Sequence, residues 1–90
     1  MNEKNHLLMF YGQECPHCET MKPFVEKIEL DNHLTIERLE VWHDIANQQL
    51  MKEYDTEHCE GVPFFYNTRS KKSICGETDF QSLEDWAIGK

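Results

Sequence analysis

The chain has few basic residues for its length. Its 90 residues include 9 Lys and Arg against 17 Asp and Glu, which gives a formal net charge of -8. Nucleic acids and anionic membranes attract basic surfaces, so this deficit argues against both as partners. The excess of carboxylates is typical of a soluble surface, and it also fits attraction to a basic partner.

Long apolar runs are also absent. The longest one, Leu7–Tyr11, is shorter than the core of a signal peptide and much shorter than the ~20 residues that span a membrane. No internal repeat, linker-like stretch or low-complexity segment divides the chain. These absences predict a single domain over residues 1–90 and a cytoplasmic location, where thiols are normally kept reduced.

The most informative pattern that is present is Cys15-Pro16-His17-Cys18, between the run Leu7–Tyr11 and a helical pattern. If the helix begins at Pro16, the two sulfur atoms face each other across one turn and can close a disulfide. Backbone N–H groups and the positive end of the helix dipole then favour the thiolate of Cys15. This arrangement predicts a redox site in which Cys15 is the nucleophile.

The neighbours of the two cysteines adjust this site. Pro16 suits the first helical position because it has no N–H to leave unpaired. His17, if protonated, adds positive charge near the thiolate, whereas Glu14 and Glu19 act in the opposite direction. Cys18 falls on the apolar face of the predicted helix, so we expect it to be the more buried, resolving thiol.

Two other functions remain open from the residues alone. A Cys-x-x-Cys pair is also half of a zinc site, and it could form a metal-binding or metal-delivery module with Cys59 or His17. The separation of Cys59 and Cys75 is unlike that of a second half-site, so we predict no metal ligands and no cofactor. The third possibility is a non-catalytic interaction domain whose cysteines have no redox role.

The remaining cysteines, Cys59 and Cys75, are interpreted as small buried apolar side chains. The alternative for each of them is a further redox or regulatory thiol. A disulfide between the two requires facing Cβ atoms, and this possibility stays open at the level of sequence.

The apolar periodicity predicts seven elements in the order β-α-β-α-β-β-α. The strands are Leu7–Tyr11, Thr35–Trp42, a segment from Gly61 to Tyr66, and Ser73–Cys75; the helices are Pro16–Leu30, one capped by Asp44, and one opened by a Thr78-x-x-Gln81 capping box. Pro23 predicts a kink in the first helix. We therefore expect an α/β fold with a central mixed four-stranded sheet, its first two strands parallel, and helices on both faces.

At this point the chain resembles the thioredoxin superfamily over nearly its whole length. The matching features are the Cys15-Pro16-His17-Cys18 site, Pro23 five residues after it, Val62-Pro63 before the third strand, and Gly76 before the last helix. The resemblance implies a thioredoxin-like fold and a thiol-disulfide oxidoreductase that acts on disulfide-containing proteins or small disulfides. It also implies that Pro63 is cis and faces the cysteine pair, and that Val62 offers backbone hydrogen bonds to a substrate strand.

Some positions depart from thioredoxin itself. Met9 and Glu14 occupy the places of thioredoxin's buried acid and of the Trp before its first cysteine. The segment from Gly76 to Asp79 is similar to the part of glutaredoxins that holds the carboxylate end of glutathione, so these two residues are candidate contacts to glutathione or substrate. Either a reductase or glutathione is the implied electron donor. In the family's geometry Tyr11 and Phe64 flank the cysteines, either as an apolar rim for a substrate peptide or as core packing.

Overall fold

A computed structural model describes residues 6–90, and it contains the seven predicted elements in the predicted order. The strands are β1 (Leu7–Tyr11), β2 (Ile36–Glu40), β3 (Phe64–Asn67) and β4 (Lys72–Cys75), and the helices are α1 (Pro16–Asn32), α2 (Ile45–Tyr54) and α3 (Phe80–Ile88). The first five residues of the predicted 1–90 domain lie outside the described residues. Within the part that is described, no helix is long and apolar enough to cross a membrane.

The four strands form one mixed sheet in the order β2-β1-β3-β4. Strand β1 is parallel to β2 and antiparallel to β3, and β3 and β4 form the predicted antiparallel hairpin. Because β1 lies inside the sheet, its residues from Leu7 to Phe10 are all buried. The α/β fold class expected from the sequence is confirmed.

The two faces of the sheet are covered by different helices. Helices α1 and α3 pack against the face of Leu7, Met9 and Phe65, whereas α2 covers the face of Leu8 and Phe10. Strand β2 contributes to both cores, because Ile36 belongs to the first and Leu39 packs against the second. In β2 the apolar residues Ile36 and Leu39 point to opposite faces of the sheet. This pattern is expected for a strand that is covered on both faces.

Several element boundaries differ from the sequence prediction by one to three residues. Strand β2 is shorter at both ends than Thr35–Trp42, and α1 continues two residues beyond Leu30, to Asn32. The cap of α3 is Asp79 rather than Thr78, since the Asp79 carboxylate accepts a hydrogen bond from the amide of Ser82 at 3.0 Å. Aspartate caps helices at least as well as threonine, so the helix begins one residue later than the capping-box pattern predicted.

Candidate active site

Cys15 lies at the junction where the chain leaves β1 and enters α1. Its amide donates to the carbonyl of Gly12 at 3.1 Å, which closes the turn, and its side chain is the N-cap of the helix. The backbone amide of Cys18 points at Cys15 Sγ, 3.2 Å away. A sulfur in this position receives an N–H donor and the positive end of the helix dipole, and both stabilise a thiolate.

The two thiols are free, and they are almost equally buried. Cys15 is 2% exposed and Cys18 is 3% exposed, so the expectation that Cys18 would be clearly the more buried thiol is wrong. The reason is that the loop before β3 covers Cys15, whose Sγ lies 3.9 Å from the carbonyl oxygen of Val62.

Cys18 holds its proton tightly. Burial, together with the hydrogen bond and the charge of Cys15, raises the pKa of Cys18 to about 12. Cys18 therefore keeps its proton at neutral pH.

The loop before β3 brings the predicted substrate residues to the cysteines. The Val62–Pro63 peptide bond is cis, as expected, and the carbonyl of Pro63 accepts the amide of Gly76 at 2.8 Å. A shallow depression of about 360 Å³ beside this contact is lined by His17, Val62, Gly76 and Glu77. Asp79 does not line it, because its carboxylate caps α3, and the hydrogen bonds from Ser82 lower the pKa of Asp79.

Two histidine–glutamate pairs flank the cysteine turn. His17 Nδ1 lies 2.5 Å from Glu77 Oε2, and His43 Nε2 lies 2.9 Å from Glu14 Oε1. The hydrogen bond and the negative charge of Glu14 raise the pKa of His43. When His43 is protonated, its charge offsets that of Glu14, which we expected to oppose the thiolate.

A carboxylate that no sequence pattern singled out holds the cysteine turn against the β2–α2 loop. Glu40 accepts the backbone amides of Gln13 at 3.0 Å, Trp42 at 3.1 Å and His43 at 2.9 Å. Partial loss of hydration opposes the effect, but these hydrogen bonds lower the pKa of Glu40. A signal for the contact exists in the predicted topology, since the loops that follow two adjacent parallel strands meet at one end of a sheet.

A second cavity, of about 220 Å³, opens beside Cys18. Its lining comprises Met9, Tyr11, Cys18, Glu19, Lys22 and Arg38. Tyr11 and Cys18 therefore line the same cavity. Phe64, the other member of the proposed rim, is only 2% exposed and packs in the opposite core near Phe10, so it is a core residue.

Cys59 and Cys75 form a disulfide, with their Cα atoms 5.7 Å apart. The interpretation of both as buried free thiols is wrong, and Cys75 is in fact exposed. The bridge also removes Cys59 as a third ligand for the metal-binding alternative. Among residues 6–90, no group of three or more His, Cys, Asp and Glu side chains is placed to hold a metal ion.

A family model described as thioredoxin matches residues 1–88. The chain belongs to the thioredoxin family. A search of curated proteins finds no match. Among solved structures, the chain is similar to a mutant thioredoxin from Halobacterium salinarum NRC-1, with a TM-score of 0.68 and 23% identity over 90% of this chain and 71% of that chain. At this identity the likeness establishes the fold, and thioredoxin-family membership together with the paired cysteines indicates a thiol-disulfide oxidoreductase in general terms.

This thioredoxin-family site has a tryptophan stacked on its cysteine turn from a neighbouring loop. A Cβ atom on Gly12 would lie 2.3 Å from the nearest ring atom of Trp42, so only glycine permits the observed approach. The ring is 47% exposed, which makes it a packing group at the edge of the site rather than part of the core.

We expect Gly12→Ala to lower the free energy of unfolding by about 1–3 kcal/mol, because the added methyl group overlaps the indole of Trp42. Urea denaturation measures this loss. Gly61→Ala is the matched control, since a Cβ there meets only a carbonyl oxygen at 3.8 Å. In Gly12→Ala/Trp42→Ala the two losses should not add, and strict additivity would show that the indole does not cause the destabilisation.

Proposed function

We propose that the protein reduces or exchanges disulfides of proteins, and of small molecules, with Cys15 and Cys18 as its redox-active dithiol. One observation supports this above the others: Cys15 Sγ lies 3.2 Å from the amide of Cys18 and 3.9 Å from the carbonyl of Val62, beside the cis Val62–Pro63 bond. The nucleophile, the resolving thiol and a backbone edge for a substrate strand therefore share one location.

In the first step an extended substrate segment lies along Val62, and the Cys15 thiolate attacks one sulfur of the substrate disulfide. A bond forms between Cys15 Sγ and that sulfur, and the other substrate sulfur leaves as a thiolate that takes a proton from water. The helix amide at Cys18 stabilises the negative charge on Cys15 before the attack.

In the second step Cys18 loses its proton and attacks Cys15 Sγ, which closes the Cys15–Cys18 disulfide and releases the second substrate thiol. The pKa of about 12 keeps Cys18 protonated until this step. The departing substrate thiolate takes up a proton as Cys18 loses its own, so the step releases a thiol, and the cavity beside Cys18 that Glu19 and Lys22 line leaves room for this transfer. The fixed position of Cys18 one helical turn from Cys15 compensates for its low acidity.

Two electrons must return to the oxidised site from a reductase or from glutathione. The backbone edge at Val62 and the depression at His17 and Gly76 are the proposed contact for substrate or donor, and Asp79 contributes less because its carboxylate caps α3. We propose the cytoplasm as the compartment, since the attacking form of the site is the reduced one.

The reduction potential of the Cys15–Cys18 pair tests this function. We expect one reversible two-electron transition between about -270 and -120 mV, the range that separates disulfide reductants from oxidants in this chemistry. The protein is equilibrated in graded thiol-disulfide buffers and its free thiols are alkylated. Peptide masses then give the number of free thiols in the Cys15–Cys18 pair and, separately, in the Cys59–Cys75 pair. A value near the lower end means a general reductant. The absence of any reversible transition at Cys15 and Cys18 would rule out the proposed activity.

A further inference from the structure

Three consecutive residues that begin at the last residue of β4, which we name the strap (residues 75–77), each contact a different part of the site. Cys75 is bonded to Cys59, the amide of Gly76 donates to the carbonyl of Pro63 at 2.8 Å, and the carboxylate of Glu77 pairs with His17. The strap is therefore a short piece of chain that touches the loop before β3, the cis-proline and the cysteine helix. The first contact is covalent, and the other two are a hydrogen bond and an ion pair.

The loop that the disulfide holds has an unusual backbone. His58 and Glu60 have φ values of 59° and 55°, in the left-handed region that residues other than glycine adopt only at a cost. The buried carboxylate of Asp55 accepts the amides of Cys59 and Glu60, both at 2.7 Å. The disulfide at Cys59 is the second restraint on this conformation, and the restrained segment leads directly to Val62.

The bridge is more exposed to solvent than the active-site thiols are. Cys75 is exposed and Cys59 is half-buried, whereas Cys15 and Cys18 lie in the core. Because Cys75 is exposed, we expect an external thiolate to reach the bridge from the Cys75 side.

We propose that Cys59–Cys75 is a second redox site, whose oxidised form shapes the loop at Val62 for protein substrates and whose reduction by a small thiol weakens their binding. The proposal rests on the proposed function, because it concerns the substrates of Cys15. A protein disulfide needs an ordered backbone edge at Val62, while a small disulfide needs only access to the Cys15 sulfur. The state of the bridge thus selects between the two substrate classes.

Reduction of the Cys59–Cys75 bridge requires only two molecules of a small thiol. The thiolate of a small thiol such as glutathione attacks Cys75 Sγ, and Cys59 leaves as a thiolate that takes a proton. A second molecule of the thiol attacks the sulfur of the first, which releases Cys75 as a thiol and yields the oxidised small disulfide. Two electrons pass to the bridge, and the same small disulfide reverses both steps.

The test compares wild-type protein, its Cys59–Cys75 bridge intact, with the variant Cys59→Ser/Cys75→Ser. Both proteins are reduced at Cys15 and Cys18, and alkylation followed by mass measurement verifies the state of every thiol. The substrates are insulin, as a protein disulfide, and dithiobis(nitrobenzoic acid), as a small one. We expect the KM for insulin to rise about fivefold or more in the variant, while the rate with the small disulfide stays unchanged. A fivefold change is at the lower end of the effects that one site commonly has on affinity at another. Ser73→Ala, exposed on the same strand, is the matched control and should resemble wild type.

A second measurement separates a switch from a structural support. In wild-type protein the affinity for insulin should fall with the same midpoint, in graded glutathione buffers, as the opening of Cys59–Cys75 followed by mass. Equal KM values for insulin in wild type and variant, or equal losses with both substrates, would overturn the inference. Failure of the proposed function looks different: wild-type protein with the bridge intact would then reduce neither substrate. In both results that overturn the inference, wild-type protein is still active.

Discussion

Replacing Cys15 by Ser should reduce the rate of disulfide reduction by about a thousandfold or more, the scale on which enzymes lose activity with their nucleophile. A serine hydroxyl at this position does not ionise at neutral pH, so the amide of Cys18 has no thiolate to stabilise. Insulin reduction with a thiol as electron donor measures the loss. Activity at the wild-type rate would assign the attack to another thiol.

Cys18→Ser is the companion variant, and its expected result differs in kind. The first attack proceeds, but the mixed disulfide on Cys15 has no resolving thiol, so covalent adducts accumulate. Non-reducing electrophoresis and intact mass detect them, with Cys15→Ser/Cys18→Ser as the negative control. If Cys15→Ser trapped adducts instead, the order of the two roles would be reversed, against the high pKa that burial gives Cys18.

The second large effect concerns stability. We expect Cys59→Ser/Cys75→Ser to lower the free energy of unfolding by about 3 kcal/mol, because the bridge closes a loop with a sequence separation of 16 and restricts the unfolded chain. For a domain of this size the loss lowers Tm by more than about 10 °C. Calorimetry or urea denaturation measures it.

Wild-type protein treated with a reductant supplies the control for this stability change. Its Cys59–Cys75 bridge opens, so its unfolding free energy should approach that of the double variant. A variant as stable as oxidised wild type would show that Asp55 and its two hydrogen bonds hold the loop before β3 without the disulfide.

The sequence was sufficient for the features that depend on local chemistry. Cys15 at the start of a helix and the order of the elements follow from the position of Pro16 and from the apolar pattern. The cis bond at Pro63 followed from the family resemblance rather than from any physical property of the residues themselves. The prediction that the cysteine pair lies at the strand–helix junction is therefore confirmed. The prediction that Cys18 is more buried than Cys15 is wrong.

The features that sequence analysis missed depend on register and loop path. Cys75 reaches Cys59 because β4 pairs with β3 so that Cys75 lies opposite Phe64, next to the loop. Glu40 and His43 meet the cysteine turn only because the two parallel strands end together. Residue type alone carries neither register nor loop path, so these contacts required the structure.

The two tryptophans give the molecule two separate optical probes. Trp42 stands half in solvent against the turn that carries Cys15, while Trp86 is 4% exposed and its indole donates to the carbonyl of Lys72 at 3.1 Å. Emission from the first depends on events at the surface of the cysteine turn, and emission from the second depends on the integrity of the interior. A Trp42→Phe or Trp86→Phe protein therefore carries a single indole fluorophore, with which substrate engagement and unfolding can be followed independently.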